Sequence, residues 1–215
     1  MDLLDGLDPH SMEALPAEIC LGSDTGRNGT SQVRYSRDPL SARDRQIRHG
    51  LSVTTALRTA FDGGRWACDL VEAVVFLDQI THVLPIDLPA LGARSRGPTR
   101  WRGIARLRQA LTLVDPASAS PWESRLRMFY LLDAGLPRPL VNIPIFTPEG
   151  RFIAIPDLLD PEAGLVTEFD GQDHRRRRQH RNDNLREEKL EAANLLVCRV
   201  DSLDLGSTLA LKDIS

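Results

Sequence analysis

The apolar positions of the chain fall into two regimes. Residues 1–32 show little periodicity, with Gly22, Gly26 and Gly29 among scattered Ser, Thr and Asp, so this segment reads as irregular apart from a short helix near 11–17. Residues 33–36 suit a short strand. From residue 51 a strand tip leads into a helix ending near 62. Thr54 or Thr55 is its N-cap, and Leu57, Ala60 and Phe61 follow at helical spacing. Gly63-Gly64 is expected to break it. A second helix over 66–80 places Leu70, Ala73, Val74 and Leu77 on one stripe. Pro85 and Pro89 frame a short helix reaching Ala93. After Gly97-Pro98, a further helix over 99–114 turns Ile104, Leu107 and Leu111 inward and Arg100, Arg106 and Arg108 outward. Residues 33–115 therefore form a mainly helical subdomain, bounded by the Ala, Ser and Pro of 115–120.

The second regime mixes periods. Ser120-Pro121-Trp122-Glu123 starts a helix, with Ser120 as N-cap, Pro121 at the first position and Glu123 completing a capping box. Trp122, Leu126, Phe129 and Leu132 would be its buried stripe, and Gly135 and Pro137 its stop. Strands follow at 142–146, 152–158 and 165–170, the last two joined by a turn at Asp160-Pro161 with Gly164. A helix over 181–193 ends at Asn194, a residue that tolerates left-handed backbone. The apolar run 195–200 suits a central strand. The order from 120 to 205 is helix, three strands, helix, strand, an α/β arrangement.

Acids sit where these strands end. Alternation puts Val166, Glu168 and Asp170 on one face of the third strand, and Leu165, Thr167 and Phe169 on the other. Two acids in an apolar strand are costly to bury without a cation or hydrogen bonds. Asp157, after Pro156, adds a third carboxylate if the two strands pair. Three such groups form a hard, oxygen-rich pocket suited to Mg²⁺ or Mn²⁺. Each also has a plainer reading: Asp157 as a turn residue, and Glu168 as a surface acid of an edge strand.

Pro156-Asp157, a turn, and then Glu168-Phe169-Asp170-Gly171 with His174 resemble the PD-(D/E)XK nuclease core, most closely its very-short-patch-repair-like endonuclease branch. Upstream, residues 33–62 resemble the C-terminal part of abortive-infection-type antitoxin proteins. The resemblance implies a restriction-endonuclease-like core over 120–205 and a metal-dependent DNA endonuclease. Asp157, Glu168 and Asp170 would be its metal ligands, with His174 moving protons and Gln172 bonding into the site. Asp170 stands where the motif has lysine, so it would bind metal, orient His174 or accept a proton. His174 equally suits a basic patch. Glu123 has a water-mediated metal role by resemblance and a capping role by position, and capping comes first. The resemblance also implies a winged-helix module upstream. Too few residues precede Val33 for a complete one, so sequence specificity is expected from a protein partner or from DNA shape. The alternative is a non-catalytic nucleic-acid-binding or antitoxin-like protein that keeps the fold.

The composition of the 215 residues, 41% hydrophobic and 27% charged, fits a globular protein and excludes a disordered chain. No apolar run is long enough to span a bilayer, and no signal segment opens the chain, so a cytoplasmic protein with no membrane partner is expected. Cys20, Cys68 and Cys198 have neither metal-ligand nor disulfide spacing, and Cys198 is expected in the core. The net charge of −3 gives no global pull toward nucleic acid. Its distribution does more. Six arginines and no acid lie between Arg94 and Arg108, and Arg175, Arg176, Arg177, Arg178 and Arg181 form a second run. Either run alone reads as a solvated face. Beside a nuclease-like acid pocket both become candidates for phosphate contact, the second run as the DNA-binding stretch.

Overall fold

The computed structural model describes residues 16–21, 28–97, 100–170, 179–202 and 204–205, with the side chains of 179–185 outside the description. The chain divides into two units, up to Pro116 and from Ala117 onward.

The first unit begins with β1 (Ala17–Cys20) and β2 (Val33–Ser36), paired in parallel. The irregular reading of residues 1–32 is thus corrected at β1. A 3₁₀ turn (Ala42–Asp44) leads to a hairpin of β3 (Arg45–Arg48) and β4 (Leu51–Thr54). His49 and Gly50, both at positive φ, close it, as the twist of a two-residue hairpin turn requires. Next come α1 (Ala56–Trp66), α2 (Leu70–Val83), α3 (Leu88–Ser95) and α4 (Ile104–Ala110). Thr55, Asp69 and Asp87 cap the first three through their side chains.

Three expectations fail here. Gly63-Gly64 does not end α1, which continues through it to Trp66. A Cβ at Gly63 would come 2.1 Å from the Phe76 ring, and one at Gly64 2.8 Å from Leu107. The pair is therefore a contact surface for neighbouring helices, and packing offsets its low helix propensity. The long helix expected over 99–114 is shortened to α4 because Gly103, at φ 76, holds left-handed backbone immediately before it. Trp66, expected to open the second helix, closes the first.

This unit also buries a charge network that helical periodicity does not announce. Arg58 and Arg65 are almost fully buried. Arg58 donates to Asp62 Oδ2 at 2.7 Å, to the Pro39 carbonyl at 2.7 Å and to Asp44 Oδ2 at 3.3 Å. Arg65 donates to Asp62 Oδ1 at 2.9 Å and also pairs with Asp38. Arg94 reaches Asp44 Oδ1 at 2.6 Å. Burial alone would raise Asp44, but hydrogen bonds from Arg94 and Ser41 and the Arg94 charge outweigh it and hold the carboxyl at about 2. Phe61 and Trp101, edge to face at 5.4 Å, supply aromatic faces to these guanidinium groups.

The second unit opens with α5 (Pro121–Met128), continued by a π-helical turn (Phe129–Asp133). Gly135, at φ 63, follows its end. The expected strand over 142–146 is shortened to β6 (Ile145–Phe146), and a further strand, β5 (Leu140–Val141), precedes it. Asn142, at φ 50, separates the two. The expected strand over 152–158 is divided into β7 (Phe152–Ala154) and β8 (Leu158–Asp160). Pro156 between them has no N–H to give a ladder. β6 and β7 form a separate antiparallel pair. β9 (Leu165–Phe169), α6 (Gln179–Ala192) and β10 (Leu196–Val200) complete the unit.

The main sheet has the order β10-β9-β8-β5, with β10 parallel to β9 and the other pairs antiparallel. A parallel neighbour needs a crossover, and α6 lies between β9 and β10 in sequence. Among the described strands β10 is an edge rather than central, and Cys198 on it is exposed rather than in the core. Leu126 and Tyr130 pack with Leu158, Val141 and Val200, and with Leu165 and Phe169 beside them. Leu159, Val166 and Leu190 form a second cluster. The alternation read along 165–169 is therefore the physical division between two cores. Trp122 and Leu132 are largely exposed, so the buried stripe of the first helix is Leu126, Met128 and Tyr130 instead. The chain is a mixed α/β protein with several small sheets. Among the described residues no helix is long and apolar enough to cross a membrane.

Candidate acid centre

The turn between β8 and β9 sets the geometry. Asp160 accepts from the backbone N–H of Ala163 at 3.0 Å and of Glu162 at 3.1 Å, while the Tyr130 hydroxyl donates to it at 3.0 Å. These bonds, the Ala163 one first, hold its carboxyl below the usual range. The turn fixes the register Leu158↔Thr167, so one step earlier Asp157 stands across from Glu168.

Asp157 lies just before β8 and is half-buried. Its Oδ2 accepts the Phe169 N–H at 2.8 Å, and its own carbonyl accepts the Asn142 N–H at 3.2 Å. Burial pushes its carboxyl up to about 6, against the Phe169 hydrogen bond, and the charges of Glu123 and Glu168 push the same way. Arg186 on α6 pulls in the other direction.

Glu168 has a mostly buried side chain. Its Oε1 lies 2.6 Å from Arg186 Nη2, yet this atom receives no well-formed hydrogen bond. Glu123 shows why its capping and site readings overlap. Ser120 Oγ accepts from the Glu123 N–H at 3.2 Å, the expected N-cap. The return bond goes not to the Ser120 N–H but to that of Ala119, at 2.8 Å, and the same Oε2 accepts from Asn142 Nδ2 at 2.8 Å. The glutamate is thereby anchored at α5 while its charge bears on Asp157.

Asp170 lies one residue past β9. It is exposed, with its N–H bonded to the Val200 carbonyl at 2.9 Å. His174, Gln172, Arg175, Arg176, Arg177 and Arg178 lie outside the described residues, as does the side chain of Arg181. Among the described residues no three His, Cys, Asp or Glu side chains are grouped closely enough to hold a metal ion. What does gather is Asp157, Glu168 and, by its field, Glu123, with Arg186 as the cation. Sequence reasoning overlooked Arg186 because it is one charge among many on a polar helix. Its signal was a position on the helix between the two parallel strands.

The other arginines separate by role. Arg127 on α5 is fully buried. Arg125 lies over the Trp122 ring, which stacks on Phe169. Arg199 pairs with Glu187 at 2.8 Å. In the stretch from Arg94 to Arg108, Arg94 is held by Asp44, and Arg106 donates to the Ala67 carbonyl. Arg96, Arg100 and Arg102 are exposed.

A carboxyl raised above its ordinary value costs stability once ionised. The cost is absent below about pH 4, grows as pH rises, and is complete above about 6. Asp157→Asn is therefore expected to stabilise the metal-free protein at pH 7.5 by ~2 kcal/mol, a value reduced for partial exposure, with no gain at pH 4. Urea unfolding in a chelating buffer at the two pH values checks this.

Comparison of the chain with protein-family models, with curated proteins and with solved structures gave no match.

Proposed function

We propose that the protein is a divalent-metal-dependent DNA endonuclease of the PD-(D/E)XK kind, similar to the very-short-patch-repair-like branch. The observation that carries this reading is the state of Asp157. It is a half-buried carboxylate at a strand junction, across the ladder from Glu168; burial first raises it to about 6, and the charges of Glu123 and Glu168 add to the rise. Excess negative charge at one point is the condition a divalent cation relieves. The order α5, β5, β8, β9, α6, β10, with β10 parallel to β9, supports a restriction-endonuclease-like core.

Asp157 and Glu168 fit Mg²⁺ or Mn²⁺ as hard oxygen donors. Glu168 Oε1 meets the Arg186 guanidinium at 2.6 Å, so an ion there would compete with Arg186 for it. Glu123 would serve from farther out, and Asp170 and His174 would complete the set from the segment after β9. When bound, such an ion supplies charge neutralisation at the phosphate and lowers the pKa of a coordinated water. Hydrolysis forms a bond from a water oxygen to phosphorus and breaks the bond to the leaving oxygen. The water proton would pass to Asp170 or His174, and the leaving oxygen would take a proton from bulk water. Arginines of the 175–181 stretch would hold the DNA backbone, with a protein partner or DNA shape supplying specificity.

Two observations favour the second reading, a non-catalytic nucleic-acid-binding or antitoxin-like protein. The lysine position of the motif is an exposed aspartate, and Glu168 already has a cationic neighbour. Incubation with supercoiled, linear, mismatched and single-stranded DNA, with and without Mg²⁺ or Mn²⁺, separates the two. The nuclease reading expects metal-dependent cleavage that falls at least about 100-fold in Asp157→Ala. DNA binding without cleavage selects the second reading.

A further inference from the structure

We propose that Arg186 is the resident cation of the acid centre: its guanidinium holds Glu168 until a divalent ion takes that carboxylate, and then turns to the phosphate of the DNA. This rests on the nuclease reading above and adds the source of positive charge that the motif lacks.

Three observations lead there. Arg186 Nη2 lies 2.6 Å from Glu168 Oε1 and donates to the Ile155 carbonyl at 2.9 Å. Ile155 is two residues before Asp157, so one side chain of α6 touches both segments that carry the acids. The Ile155 bond is a tether, keeping the guanidinium within reach when Glu168 is withdrawn. Second, the Glu168 contact is an ion pair at 2.6 Å whose oxygen accepts no well-formed hydrogen bond. Third, the Arg186 side chain is 36% exposed, so it turns without disturbing the core.

The chemistry of the group fits the second half of the proposal. A guanidinium carries five N–H donors in a planar fork that matches phosphate oxygens, and it stays protonated at every relevant pH. Both contacts run through Nη2, and among the described residues the remaining donors have no partner, which leaves them for a phosphoryl oxygen. Arg186 would stabilise negative charge on the phosphate, a task for which Asp170, at the lysine position, has the wrong sign.

The test uses the full chain as wild type, Arg186→Met and Arg186→Lys. Calorimetric Mn²⁺ titration and steady-state DNA cleavage are the readouts, and metal-free melting checks the fold. With its competitor gone, Arg186→Met should bind Mn²⁺ roughly threefold more tightly. Its kcat should fall about 100-fold, and Arg186→Lys should recover part of that loss. Opposed shifts of this kind are not produced by a residue that only supports the fold, whose loss would weaken metal binding and turnover together. Unchanged turnover in Arg186→Met, or weaker Mn²⁺ binding, overturns the proposal while leaving an active wild type intact. A wild type that neither binds Mn²⁺ nor cleaves defeats the nuclease reading itself, and this proposal with it.

Discussion

Replacing Arg58 by alanine is expected to destabilise the first unit by about 3–5 kcal/mol, the range for removing one partner of a buried ion pair. The side chain is 1% exposed and serves two carboxylates and one carbonyl. Its loss leaves Asp62 and Asp44 with less positive charge in a place water does not reach. Burial already raises Asp62 in spite of the Arg58 hydrogen bond, so little compensation remains there. The loss also opens space beside Trp101, whose ring centroid is 5.2 Å from the Arg58 guanidinium. Arg58→Lys keeps the charge without the planar fork and should lose less. Urea unfolding followed by fluorescence in a Trp122→Phe background reads this unit, since the remaining tryptophans, Trp66 and Trp101, both belong to it. A loss below about 1 kcal/mol would mean that the network adds little beyond an exposed pair.

Sequence reasoning captured what depends on local chemistry. The N-caps Thr55 and Ser120, the αL stop at Asn194, the Asp160-to-Gly164 turn and the alternation along β9 all follow from one residue and its neighbours. It failed where distant residues decide. Gly63-Gly64 reads as a break until Phe76 and Leu107 are seen against it. The strand expected from Asn142 gives way to left-handed backbone at that residue, and the one expected over 152–158 is interrupted at Pro156. Arg58 and Arg186 resemble ordinary helix-surface charges, and only the acids that converge on them reveal otherwise. Of the acid centre, Asp157, Glu168 and Glu123 were visible from the motif, while Arg186 was not.

The second large effect concerns that centre. A ligand that binds only the folded state stabilises it by RT ln(1 + [L]/Kd), about 2.7 kcal/mol at one hundred times Kd. In wild type the ion would also relieve the cost of keeping Asp157 charged. Removing Asp157 takes away both a donor and the reason for the ion to be there, so Asp157→Ala should lose nearly the whole gain. The variant itself should fold, since the Phe169 N–H that it leaves lies at a sheet end with partial access to water.

Thermal melting of wild type and Asp157→Ala at pH 7.5, across a titration of Mg²⁺ or Mn²⁺, is the most direct test of whether these carboxylates form a cation site. The account predicts a saturating rise in melting temperature for wild type and a flat response for the variant. A flat response in both, or an equal rise in both, would contradict it.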